Sequence, residues 1–370
     1  MAKMTLADLV SHQEFMEYFN LRMVETSPLI RSGIVSQDPA IAAKCANAGF
    51  EGKTVDMPFL NSLDEADDAE VPVEDAAPTG IDKVTTGQDT AVVQFRRKKF
   101  GITDVTRILG GVDPARQIID QMTPYWHKQD QKRLLAILKG IFAANARAYA
   151  PDVTYSSGTA TLDANKTITA TGMYGAASLS SGGTVYENGN NGDMILDITG
   201  ENGNAALLDK NTLMLASQLL GDHKADLTAI ACNSMVDTYL SGIDTNAGLY
   251  RASDGPATLA KYNGRDIIVD DTIPYDASTK VATIYLFGKG SVAYNPLPTL
   301  HPFEAQRDAD KGTDYIHMWR RNIIHIRGCK WIGIMSGLAP TDAELYNAGS
   351  WKRVYDKKRV PCVMLKCKLG

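Results

Sequence analysis

The chain has 370 residues, 44% hydrophobic and 22% charged, and a formal net charge of -5. That length exceeds one ordinary core, so two compact units or one core with long extensions are expected, and the apolar content excludes global disorder. The acidic balance excludes a dedicated nucleic-acid binder, which needs a surplus of Lys and Arg on one face.

Residues 5–24, TLADLVSHQEFMEYFNLRMV, place Leu6, Leu9, Val10, Phe15, Phe19 and Met23 near one helical stripe, with Thr5 and Asp8 spaced as a capping pair. Asp8, His12 and Glu14 interrupt this stretch, so it is not a secretory h-region. Nowhere do eighteen uncharged apolar residues run together as a membrane helix requires. The following segment, apolar and weakly periodic with Pro28 and Pro39, reads as an extended arm that should not lie bare in water.

A strand-like run at 53–60, KTVDMPFL, gives way to a strongly acidic stretch. Between Lys53 and Lys83 lie Asp56, Asp64, Glu65, Asp67, Asp68, Glu70, Glu74, Asp75 and Asp82, with no base among them. Such a block repels itself and cannot form a core. The chain returns through TAVVQFRRKKFGITDV, where Val92, Val93 and Phe95 precede or flank Arg96, Arg97, Lys98 and Lys99. Strand, acidic tip, strand is the pattern of a long projecting hairpin.

Asp113-Pro114 is a helix start, with Asp as the cap and Pro in the first turn. Apolar residues recur at helical spacing to about Ala146, which predicts a rod of roughly 50 Å interrupted in its hydrogen bonding at Pro124. Residues 151–206 are rich in Gly, Ser, Thr and Asn and read as hairpins and loops. A helix over about 209–221 is followed by LTAIAC as a buried strand and a helix begun at Asn233 or Ser234. RDIIV and KVATIYLFGKGSVAY then read as strands, as does NIIHIRGCKWIGI. A short helix at 341–348 and a strand at 359–368 close the chain.

The motifs of common catalysis are missing: there is no GxxxxGK[ST], no GxSxG and no HExxH. Cysteines at 45, 232, 329, 362 and 367 are odd in number and scattered, which suits reduced thiols. His325 with Cys329, and His127 beside Trp126, read as packed side chains. No catalytic, cofactor or metal site is expected, and the protein is expected not to be an enzyme. The acidic block admits three readings: a divalent-cation site, which lacks the Gly of a calcium loop; an electrostatic clasp for a basic neighbour; or a solvated loop. The RRKK run could touch nucleic acid or balance the acidic segment.

The order of elements, α+β with a projecting hairpin and a long helix, resembles the major capsid protein fold of tailed bacteriophages, shared with encapsulins and herpesvirus capsid floors. The most specific stretches are DQMTPYWHKQDQKRLLAILKGIFAAN at 120–145, GRDIIVDDTIPYDASTKVATIYLFGKGSVAYNP at 264–296, and the ending from Ser336. The resemblance implies an N-terminal arm at 1–48, an extended hairpin loop at 49–104, a peripheral domain at 105–150 and 297–338 holding a spine helix, and an axial domain at 151–296 and 339–370. It implies hexamers and pentamers tiling an icosahedral virion shell, assembled in the bacterial host cytoplasm around double-stranded DNA that is contacted weakly and non-specifically.

Partners implied are further copies of the chain, a separate scaffolding protein, a portal and a decoration protein. With no Lys in the acidic tip, no covalent cross-link between subunits is expected. The contacts between subunits are expected at Asp64, Glu65, Asp67, Asp68 and Glu70 of the tip, at Arg96, Arg97, Lys98 and Lys99, at Lys128, Lys132 and Arg133 of the long helix, and at Phe15 and Phe19 of the arm. The alternatives are an encapsulin-like nanocompartment and an α/β enzyme.

Overall fold

The apolar residues are divided between two sheets, with one long helix against them. The computed structural model describes residues 34–45, 52–61, 84–104, 114–148, 154–156, 159–161, 168–171, 179–181, 193–244, 250–251, 259–310 and 312–370. The arm helix expected at 5–24, with Phe15 and Phe19, and the acidic tip with Asp64, Glu65, Asp67, Asp68 and Glu70 lie outside these residues.

In chain order come β1 (Val35–Ser36), α1 (Pro39–Cys45), β2 (Thr54–Leu60), β3 (Thr86–Thr103) and α2 (Pro114–Ala148). Short strands β4 (Thr154–Ser156), β5 (Thr159–Thr161), β6 (Ile168–Thr171) and β7 (Leu179–Ser181) form an antiparallel meander, as the Gly, Ser and Thr content predicts. Then follow β8 (Ile195–Asp197), α3 (Lys210–Gln218), β9 (Leu227–Cys232), α4 (Ser234–Asp244), β10 (Tyr250–Arg251), β11 (Lys261–Tyr262), β12 (Arg265–Val269), β13 (Tyr275–Asp276), β14 (Val281–Gly288) and β15 (Val292–Leu297). The remainder is β16 (Phe303–Asp308), β17 (Thr313–Ile326), β18 (Cys329–Trp331), α5 (Asp342–Tyr346), β19 (Trp351–Arg353) and β20 (Cys362–Lys368).

The segment read as a wholly extended arm is not so throughout. β1 adds in parallel to β15, but Pro39 then opens α1, where the Asp38 carboxylate accepts the Ala40 N–H at 2.9 Å. The Asp38 side chain takes one of the orphan donors of the first turn, while Pro39 gives up an N–H that would have had no partner.

The first sheet runs β1-β15-β17-β3-β2, with β16 also on β17. The second runs β10-β11-β12-β9-β14-β20-β8, with β13 on β14. β9 and β12 are parallel and joined through α4, so this unit mixes a crossover with hairpins. Its strand β14 is buried along nearly its whole length, which is why it reads as an unbroken apolar run and not as an alternation.

Cysteines finish inside this core. Burial pushes the thiols of Cys232, Cys329 and Cys367 up to about 12, and that of Cys362 well above its ordinary value, so they behave as small hydrophobes.

The helix α2 packs Leu134, Ile137, Leu138, Ile141 and Phe142 into a cluster with Ile324, Tyr285, Trp331 and Trp351. Gly140 lets α5 and Trp351 close on the helix. A Cβ there would overlap Leu345 O and stand 2.7 Å from Trp351 Nε1, which donates to that same carbonyl at 2.7 Å. Gly140→Ala is therefore expected to destabilise by about 1–3 kcal/mol through overpacking, although Ala favours a helix by ~1 kcal/mol. Denaturant unfolding checks the sign, since a stabilised variant would mean the helix propensity wins.

Candidate subunit interface

The hairpin begins where β3 changes partner. Thr86–Val92 pair with β2, while Val93–Thr103 pair with β17. At this junction Ala91, Val92 and Val93 are buried, and so is Asp89. The Asp89 carboxylate contacts His325 Nε2 at 3.0 Å and accepts the Gly328 N–H at 2.9 Å. Burial alone would raise the Asp89 pKa, but the bond and charge of His325 and the backbone donors outweigh it and hold the carboxyl below its usual range. Beyond the junction, Phe59 of β2 meets the Tyr355 ring edge-on at 4.6 Å, tying the hairpin root to the C-terminal segment.

Past the junction the four bases alternate between faces. Arg96 turns toward α5, where it reaches Asp342 at 3.5 Å and donates to the Pro340 carbonyl. Lys98 stands near the rings of Phe100 and Tyr125. Arg97 and Lys99 lie on the opposite face, over Trp319 at 5.5 Å and over Tyr315 at 3.7 Å. Phe95 stacks on Trp319 at 5.4 Å and is covered in turn by Arg321 at 6.0 Å. A cation over a ring keeps its formal charge, so this face carries a ladder of aromatic rings and positive groups.

The helix bases are split. Lys128 and Lys132 are exposed, and Lys132 reaches Asp342 at 3.2 Å. Arg133 is not on their surface: it is 3% exposed and bonded to Asp130 at 3.0 Å. Asp130 also takes Arg320 at 2.6 Å, Asn322 at 3.0 Å and the Tyr294 hydroxyl at 3.2 Å. Burial lowers the Arg133 pKa against the pull of Asp130, and burial first, then the Asp130 charge, raises that of Tyr294. The network locks α2 to β15 and β17. It was readable in part, because Trp126, Asp130, Arg133 and Ile137 recur on one helical stripe.

Asp130→Ala would leave Arg133 and Arg320 buried without their carboxylate. A loss of roughly 3–5 kcal/mol in urea unfolding is expected; a change under 1 kcal/mol would mean the network contributes little.

The cap of α5 gives a pH dependence. Glu344 accepts the Thr341 N–H at 2.7 Å and the Ser336 N–H at 2.9 Å, and these donors, Thr341 first, hold its carboxyl down from 4.5 to about 2 against the opposing effect of burial. The folded pKa is the lower one, so the contribution is present above pH 4.5 and fades as pH falls toward 2. Unfolding midpoints of Glu344→Gln and the natural chain should differ most above pH 4.5 and converge near pH 2.

No family model matches the chain. Among solved structures, the capsid asymmetric unit of cyanophage Pam1 superposes with a TM-score of 0.51 at 14% identity, covering 100% of this chain and 99% of that one. A structure from Mycobacterium phage Che8 follows at a TM-score of 0.45 and 12% identity, covering 90% of each. The likeness to the Pam1 capsid subunit shows the fold, that of a phage capsid protein. In sequence, the chain is 28% identical over 374 residues to the major capsid protein of Bacillus phage SPP1, spanning 100% of this chain and 99% of that protein. Over its whole length the chain is thus similar to a phage major capsid protein.

Proposed function

We propose that the chain is a shell-building subunit with no catalytic step of its own, joining copies of itself as hexamers and pentamers into an icosahedral virion shell around double-stranded DNA. The observation that supports this best is the full-length likeness to a phage major capsid protein, together with a β2–β3 ribbon whose backbone pairs with no third strand among the described residues and whose outer end is exposed. An isolated two-stranded ribbon is marginal in water. Leu60 at its outer end is 68% exposed. Both features suit a segment whose packing is completed by another copy.

In this reading the peripheral unit takes 105–150 with 297–338, and the axial unit takes 151–296 with 339–370. The acidic segment with Asp64, Glu65, Asp67, Asp68 and Glu70 lies on the basic surface of a neighbouring copy. Arg97, Lys98 and Lys99 of β3 are the exposed cations for it, whereas Arg133 is engaged inside and Lys132 already reaches Asp342. Each exposed pair is worth only about 0.2–1 kcal/mol, so the clasp depends on many of them and weakens with salt. A separate scaffolding protein and a portal act in assembly, which takes place in the host cytoplasm. With a net charge of -5 the inner contacts to DNA are weak and independent of sequence. Neither the nanocompartment nor the enzyme alternative has an observation that favours it.

Electron microscopy of purified protein, co-expressed with its scaffold, should show closed particles or six-fold capsomers; a lone monodisperse monomer would count against the reading. In the shells, neutralising Asp64, Glu65, Asp67 and Asp68 together to Asn and Gln should lower the denaturant midpoint in low salt and leave it nearly unchanged in high salt. Equal stability in low salt would remove the clasp.

A further inference from the structure

A trough of about 520 Å3 runs along one face of α2, between α5 on one side and the turn before β13 on the other. Its floor is apolar, with Leu135, Ala136 and Pro274, and its rim carries Lys128, Lys132 and Lys139 against the single carboxylate of Asp342, which pairs with Lys132 at 3.2 Å. From Lys128 to Lys139 the rim spans roughly 16 Å at the helical rise. Lys139 rests over the Tyr346 ring at 4.5 Å, and Lys128 has no carboxylate partner among the described residues. An apolar floor bordered by cations fits an amphipathic segment that is apolar on one face and acidic at its edges.

Two segments of this chain could be considered by charge. The stretch 62–83 is crowded with carboxylates and has few apolar residues, so seating it on an apolar floor would strip water from charges without paired compensation. Residues 5–24 match better. Phe15, Phe19 and Met23 fall at i, i+4 and i+8, a row of roughly 12 Å, with Asp8, Glu14 and Glu17 against a single Arg22.

The path of the chain favours the same copy. Ile34 is buried in the cluster against which Leu135 and Ala136 pack. The ten steps from Val24 to Ile34 reach at most roughly 35 Å. Tethering at that distance gives an effective concentration on the order of mM, well above that of a free neighbour in dilute solution.

We propose that this trough is the docking site of the chain's own residues 5–24, with Phe15 and Phe19 on its floor and Asp8, Glu14 and Glu17 facing the Lys128, Lys132 and Lys139 rim. The contact forms within one subunit, before and independently of any shell.

The test uses the full-length chain at a concentration where it sediments as a monomer, in a Cys45→Ser background. Phe19→Cys with Ala136→Cys is oxidised beside the control pair Phe19→Cys with Met235→Cys, whose second position is exposed on α4. Peptides holding positions 19 and 136 should be joined in the monomer band, about ten-fold above the control. Joining only in a dimer band would give the trough to a neighbouring copy and overturn the proposal. Joining no greater than the control would overturn docking altogether.

Should the double variant fail to fold, a photo-reactive benzoylphenylalanine at position 19 of the otherwise natural chain replaces it. Capture of peptides from 128–139 supports the site, and capture elsewhere sinks it. Because the readout is on monomers, failure of shell assembly leaves the result interpretable.

Discussion

β3 supplies one backbone to two ladders, and the placement of everything else follows from that division. The backbone of its first part pairs with β2 and with no other strand among the described residues, while its second part is held by β17 along Val93–Thr103. A strand can serve as both arm and sheet member only if the changeover point is fixed. Burial of Ala91, Val92 and Val93, with Asp89 bonded to His325 and to the Gly328 N–H, fixes it. A slip of one residue would turn Asp89 out of its site and bring a neighbouring side chain in, so the register is set by a polar group as firmly as by the apolar ones.

The same logic recurs on α2. Its apolar stripe alone would allow the helix to rotate or slide on the sheet by small amounts with little penalty. Asp130, bonded to residues of β15, β17 and its own next turn, admits one rotation. Buried charge is costly, and its return here is a single orientation for the exposed cations Lys128 and Lys132 and for the trough between them and α5. The cap at Thr341–Glu344 and the absent Cβ at Gly140 set how closely α5 approaches, hence how wide that trough is.

Much of the fold could be read from residues. Asp113-Pro114 marks the start of α2 to the residue, Asp209 caps α3, and the β-branched runs at 265–269 and 281–288 are strands. α1 was missed because seven residues are too few for a period to show, although Asp38-Pro39 repeats the signal of Asp113-Pro114. The candidate interface was legible as charge and not as geometry. Four consecutive bases look alike in a sequence, yet the two-residue period of a strand sends Arg96 to Asp342 and Arg97 to Trp319. Arg133 reads as a surface cation beside Lys132, yet it is buried against Asp130, three residues before it. Ring partners such as Trp319 and Tyr315 lie over 200 positions away from the bases they meet, and only the pairing of β3 with β17 brings them together.

The antiparallel ladder between β3 and β17 also decides how the subunit bears mechanical load. A pull on the hairpin along its own axis is passed down β3 parallel to β17, so the hydrogen bonds from Val93 to Thr103 are strained together, in shear. A pull across the sheet would instead open them one after another, like a zipper, at far lower force. Tension arriving from outside along the arm therefore meets the strongest direction of the sheet, and a container wall made from such subunits would be stiff in its plane.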